Sequence, residues 1–249
     1  MRDRSQKFEL VIRPKGRTPA DEYPHRGVTW IEGRDNSSYV VDIVNHTPGR
    51  VLAVVSVDGV GVLDGQPASF DSRGYVLQPH QTLSIPGWAV SGDQAAEFYF
   101  SGKLDSYASQ MGQGGNQGVI GSAFFEEKPK PIPAFPAPSW SLARSTVGSQ
   151  IKGLSASVSA NATSTSMSSD IGTGFGEAVE WRTISTTFER ASLTPSATLV
   201  LHYGSADHLR KMGIQLKSRS YSNSASQAFP GNSQEYCAPP PSWVLKSRN

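Results

Sequence analysis

Cysteine is nearly absent. The 249 residues contain one, Cys237, so neither an intramolecular disulfide nor a cysteine-clustered zinc site can be built. Long apolar runs are also missing, and no stretch approaches the roughly 20 residues that a bilayer-spanning helix requires. The opening Met1-Arg2-Asp3-Arg4-Ser5-Gln6-Lys7 is polar and leads into a strand-like segment. It lacks the apolar core and small-residue cleavage site of a secretory signal, so the expectation is a soluble, membrane-free chain made in the cytoplasm. What is present is apolar material at 37% of the residues, enough to bury at least one ordinary core.

The formal charge of +2 conceals an asymmetry. Residues 1–127 hold 11 basic and 15 acidic side chains (11 − 15 = −4), and residues 128–249 hold 12 and 6 (12 − 6 = +6). The change falls at Lys128-Pro129-Lys130-Pro131-Ile132-Pro133-Ala134-Phe135-Pro136-Ala137-Pro138, where proline is too dense for a helix or central strand. This proline-rich connector is taken as 128–139, and it divides a first domain, 1–127, from the rest of the chain. A Ser/Thr/Ala-rich segment, 140–169, has few large apolar groups to offset its ordering entropy, most clearly from Gly153 to Ser169. A small part over 170–220 comes next. The arm 221–249 is rich in Ser, Asn and Pro, with Phe229, Tyr236 and Trp243 scattered through it.

The first domain reads as β structure. Phe8–Arg13 and the partly alternating Ser38–Asn45 suit strands. Val51-Leu52-Ala53-Val54-Val55-Ser56-Val57 is almost continuously apolar, as in a central strand covered on both faces. Asp58-Gly59 then offers a type I′ hairpin turn, which needs positive φ at both positions. Further strands are expected over Gly74–Leu77, Thr82–Ile85, Ala96–Ser101 and Val119–Phe125, with a turn of helix over Asp105–Met111 capped by Asp105. About seven short strands with turns between them define a mainly β chain, an antiparallel β-sandwich or jelly-roll-like N-terminal domain. In the later part, Val179–Arg190 and Ala197–Tyr203 are strand candidates that pair as a hairpin across Leu193–Ser196. A short helix starts at Ser205 and stops at Gly213. This smaller β-rich C-terminal part carries too little apolar surface for a secure core of its own, and docking on the first domain or another subunit is an open alternative.

Reactive constellations are scarce. The five histidines, His25, His46, His80, His202 and His208, form no His-Glu-x-x-His pair. His202 and His208, flanking Asp207, have room to converge, but their spacing suits a solvated pair better than a metal site. Asp58 to Asp64 is acidic only at its ends and lacks the closing Glu of a calcium loop. No Gly-x-Ser-x-Gly elbow occurs, and Cys237 lies beside Ala238-Pro239-Pro240-Pro241. The adjacent pairs Asp21-Glu22 and Glu126-Glu127 point to opposite faces if on strands, unlike glycosidase carboxylates. The glycine-rich Gly112–Gly118 and Gly172–Gly176 lack the lysine or following helix of a phosphate cradle and are expected to be flexible turns. Basic residues in the +6 half are dispersed, without the interleaved aromatics of a nucleic-acid platform. The reading assigns no catalytic, cofactor-binding or metal-binding residue.

Ser56-Val57-Asp58-Gly59, Gly74-Tyr75-Val76-Leu77, Ile85-Pro86-Gly87-Trp88, Phe98–Ser101, Gly118-Val119-Ile120-Gly121 with Ala123-Phe124-Phe125, and Gly172–Glu177 together resemble an uncharacterised class of bacterial and phage-encoded β-rich proteins. The resemblance covers residues 38–127 and 170–214, and implies a shared scaffold with no assigned catalytic residue. A disulfide-free sandwich with a stiff connector and an aromatic-dotted arm is the composition of a body with docking extensions. The expected function is therefore non-enzymatic and structural: a bacteriophage virion component, such as a capsid decoration or head- or tail-attached protein. Its expected partners are other virion proteins or copies of itself, in a homo-oligomer or on a lattice, without nucleic acid. Phe135, Phe229, Tyr236 and Trp243 are the candidate interface anchors. The alternative is a bacterial β-sandwich binding module that recognises a glycan or envelope component through exposed aromatics such as Trp88, Tyr75 or Tyr107, with the bacterial cytoplasm as the alternative location.

Overall fold

The computed structural model describes residues 1–129 and 169–217. Its strands are β1 (Phe8–Pro14), β2 (Glu22–His25), β3 (Val28–Glu32), β4 (Ser38–Asn45), β5 (Val51–Val57), β6 (Val60–Gly61), β7 (Tyr75–Leu77), β8 (Thr82–Ile85), β9 (Gly87–Ala89), β10 (Gln94–Gly102), β11 (Val119–Glu126), β12 (Ile171–Glu180) and β13 (Ala197–Gly204). Two short helices join them, α1 (Tyr107–Gln110) and α2 (Ala206–Lys211). One sheet runs β1-β4-β10-β12, with β8 on β4 and β9 on β10; the other runs β2-β3-β13-β11-β5-β6, with β7 on β5. All pairings are antiparallel except β3 with β13. The expected sandwich is thus the architecture, with one parallel pair inside it.

Alternation along each strand sends one row of side chains into the space between the sheets. Phe8, Leu10 and Ile12 of β1, Tyr39, Val41 and Ile43 of β4, and Phe98 and Phe100 of β10 face Val51, Val55 and Val57 of β5, Ile120 and Phe124 of β11, and Leu199 and Leu201 of β13 in a single core. Phe8 stacks on Phe124 across the layers at 4.6 Å. The unbroken apolar run of β5 has the expected cause, for its other face, Leu52 and Val54, is covered with Ala123 and Phe125 in a second cluster that includes Phe188. Arg190 seals that cluster, its guanidinium 4.1 Å from the centre of the Phe125 ring. A third cluster seats Leu209 of α2 and Ile214 on Trp30 of β3.

Turn chemistry sets the register. Asp58 and Gly59 both have positive φ, +54° and +79°, and Val57 pairs with Val60, as the two-residue turn requires. Pro86 interrupts the ladder between β8 and β9, and across it the chain changes partner from β4 to β10. Ser205 caps α2 through its hydroxyl, which accepts from the His208 amide, and Gly213 ends it at φ +86°.

Residues 170–216 differ from the expectation of a separate hairpin-plus-helix part. β12 and β13 do not pair with each other: β12 lies beside β10 in one sheet, and β13 sits between β3 and β11 in the other. The described residues up to Leu216 accordingly form one compact unit. Of the strand expected over Val179–Arg190, only Val179 and Glu180 are strand, as the end of β12, and the chain then crosses irregularly to the other sheet. Gly172–Gly176, expected as a flexible turn, is strand, because glycine is what the neighbours permit: a Cβ on Gly174 would stand 2.2 Å from the Tyr99 ring. The cap of α1 is Ser106 rather than Asp105.

Trp88 belongs to the interior. Its ring meets Phe98 edge-on at 5.2 Å and its Nε1 donates to Gly174 O at 3.1 Å. Replacing Trp88 with Ala is expected to cost ~3–5 kcal/mol, read as a lower urea midpoint with unchanged slope.

Candidate functional site

Among the described carboxyl groups the one with the most altered acidity is Asp58, and it is fully buried. The tight turn after β5 points its carboxylate into the junction of the two sheets. Oδ1 accepts from Gly118 N at 2.8 Å and from the Tyr203 hydroxyl at 2.5 Å, while Oδ2 accepts from Thr173 N at 2.8 Å. The Thr173 hydroxyl continues the chain, 2.8 Å from the Tyr203 oxygen and 2.7 Å from that of Tyr39. Proton counting fixes the direction when Asp58 is ionised. Tyr203 spends its proton on Asp58, so Thr173 donates to Tyr203 and Tyr39 donates to Thr173. Burial raises the Asp58 carboxyl to about 6 against the pull of these donors, and burial holds both phenols well above the ordinary tyrosine range.

A buried, shifted carboxylate is a common mark of catalysis. Here both oxygens are occupied by main chain and a phenol and the residue has no exposed surface, so the group acts as a clasp between sheets. Asp64 is likewise engaged, with Oδ1 accepting from Gln66 N, and the weak calcium-loop reading of 58–64 gains nothing.

His202 and His208 do converge, but on an aromatic ring: their ring centres lie 5.1 and 6.0 Å from that of Trp30. Burial alone lowers the His202 pKa. Among the described residues no three His, Cys, Asp or Glu side chains are placed to hold a metal ion. Glu126 and Glu127 turn apart as expected, to Lys7 and Arg50 respectively. Of the aromatics proposed for a glycan platform, Trp88 and Tyr75 are buried, and Tyr107 is wedged between Trp88 and Phe175. Phe135, Phe229, Tyr236, Trp243 and Cys237 lie outside the described residues.

The exposed feature that stands out is a rim along β12. Phe175 is 44% exposed, and the loop that packs against the same strand presents Leu104 at 86% and Met111 at 50%. This loop, from β10 to β11, is held from within. Gln117, itself buried, places Nε2 2.7 Å from Lys103 O and 2.6 Å from the Ser106 hydroxyl, and Ser109 donates to Lys103 O at 2.8 Å. Gly172 admits the loop, since a Cβ there would stand 2.5 Å from that of Ser106. The apolar side chains are therefore presented on a braced support, which reduces the ordering cost of binding. At the far end of β12, Asp93, Gln94, Glu180 and Arg182 line an open groove of about 480 Å³. Sequence reasoning missed this rim: Phe175 is a lone large apolar residue among glycines, and Leu104 and Met111 read as ordinary loop and helix residues. No protein family, curated protein or solved structure matches the chain.

The clasp has a pH signature. Because the folded Asp58 carboxyl is raised to about 6 from 3.8, the native state holds the extra proton between these values. Stability from this group is full below the unfolded pKa and is lost as pH rises through about 6. Urea melts from pH 4 to 7 are expected to show a loss of ~2 kcal/mol in wild type relative to Asp58→Asn, whose own profile lacks this slope. At pH 7 Asp58→Ala, leaving Gly118 N, Thr173 N and the Tyr203 hydroxyl unpaired, is expected to be less stable than wild type by at least ~2 kcal/mol.

Proposed function

We propose that this chain is a non-enzymatic structural and assembly subunit, a bacteriophage virion component of the capsid-decoration or head- or tail-attached kind. Its partners are other virion proteins or further copies of itself. The observation that carries the assembly reading is the braced apolar rim of Leu104, Met111 and Phe175 beside the outer edge of β12. Exposed apolar side chains on a rigid support suit contact with another protein surface. Repetition on a lattice raises effective concentration, so a rim of modest area suffices there. The virion assignment draws on the resemblance carried by β5, β7, β9 to β11 and β12.

The reading is tested on native particles. The chain is expected to band with virions through a density gradient in fixed stoichiometry and to occupy symmetric positions in electron micrographs. Recovery from the native source solely as a free single chain overturns the proposal.

A further inference from the structure

The sheet edges are not treated alike. The outer side of β1 is paired by the chain's first residues, with Leu10 N donating to Met1 O and Asp3 N to Phe8 O, and by Ala20 N to Ile12 O. β2 is four residues long and carries Pro24, two devices that blunt an edge. β12 is protected only in its first half, where Asp58 takes the Thr173 amide and the loop containing Ser106 packs on Gly172. From Phe175 to Glu180, no strand among the described residues pairs with its outer side.

Backbone alternation says which groups face outward there. The Thr173 amide turns away from β10 toward Asp58, so that of Phe175 does too. An extra residue follows, since Ala96 pairs with Ala178 but Phe98 with Phe175. Trp181 N and Thr183 N then donate inward, to Asp93 O and Gly92 O, which leaves the amides of Glu180 and, by the same alternation, Ala178 facing outward. The edge has a chemical polarity as well. Its start carries exposed Phe175, after the loop that packs on β12 and presents Leu104 and Met111, and its end is acidic, with Glu177, Glu180 and Asp93 against Arg182 and, near Glu177, Lys15.

A partner strand should therefore bring apolar residues first and cations after them when it runs in the direction of β12. Ser242-Trp243-Val244-Leu245-Lys246-Ser247-Arg248 has that order. We propose that the β12 edge of one subunit receives residues 242–248 of a second copy as an added parallel strand. Trp243, Val244 and Leu245 would lie at the apolar rim, and Lys246 and Arg248 at the acidic end. The inference rests on the assembly reading and names its partner. Residues 217–241 can span at most ~85 Å when extended, enough to reach a neighbouring body. Donation between copies closes as a twofold pair where two subunits exchange the segment reciprocally, and builds rings or open filaments where it runs head to tail.

The test uses the full chain in sedimentation velocity over a concentration series, with peptides of residues 240–249 as competitors. Val244→Pro lies outside the described residues and removes an amide from the donated strand. It is expected to weaken self-association at least ~10-fold, and the wild-type peptide, but not its Val244→Pro version, is expected to dissolve wild-type assemblies. Glu177→Lys with Glu180→Lys should weaken association similarly, and adding Lys246→Glu with Arg248→Glu should restore it. Ala178→Pro, whose amide faces outward, should abolish association while retaining the far-UV spectrum. Wild-type assembly that ignores Val244→Pro and the peptide overturns the strand exchange but leaves the assembly reading standing. So does protection of 242–248 within a chain that stays single in solution yet still bands with virions. A wild-type chain that is single at every concentration and absent from virions overturns both.

Discussion

A single carboxylate joins elements that are far apart in the chain. Asp58, at the end of β5, binds the amide preceding β11, an amide in β12 and a phenol from β13, and through Thr173 the phenol of β4. Five strands from two sheets thus meet on one hydrogen-bonded line. Apolar packing drives the layers together but is tolerant of sliding, whereas a line of donors and acceptors is satisfied in one alignment only. The position of β12 follows from it. With Thr173 pinned to Asp58, the glycines on either side face the Ser106 loop and the Tyr99 ring, both of which need the missing Cβ.

The same clasp divides β12 into two halves with different exposure. Before Gly174 the strand is sealed by Asp58 and the loop; after it no strand among the described residues pairs with its outer side. A bulge opposite Glu97 bends it at the transition. Phe175 sits at this point, anchored to Tyr107 and through it to buried Trp88, yet open to solvent on its remaining side. An apolar rim and a bare strand edge therefore coincide because one constraint ends where it does. This coincidence is the basis for reading the molecule as a subunit that docks. The shifted carboxyl of Asp58 is enclosed, and the two histidines that meet do so over an indole.

Much of the first domain was legible because its signals are local. The doubly covered strand β5 announces itself by continuous apolar residues, the Asp58-Gly59 turn by its need for positive φ, and α2 by a serine cap and a glycine stop. Strands β2, β3 and β9 were missed. They are short, one carries proline, and their burial comes from neighbours supplied elsewhere in the chain. The glycines of β12 were misread for a related reason: loose in isolation, they are required by Tyr99 and Ser106, which approach only after folding. The candidate rim was not legible at all, since exposure of Phe175, Leu104 and Met111 is a property of where the sheet stops.

Composition and local pattern by themselves determined the β class, the lack of any cysteine framework, the positions of several turns and the charge contrast between the two halves. Each depends on residues within one turn or strand of each other, where steric and hydrogen-bonding preferences act without help. Tertiary structure alone decided that β12 and β13 belong to different sheets and that Asp58 is a buried clasp rather than an exposed turn residue. It also decided that, among the described residues, no strand pairs with the outer side of β12. Strand partnership and burial depend on groups up to 145 residues apart in sequence, and a periodicity of two records which face a side chain takes, never which strand lies beside it.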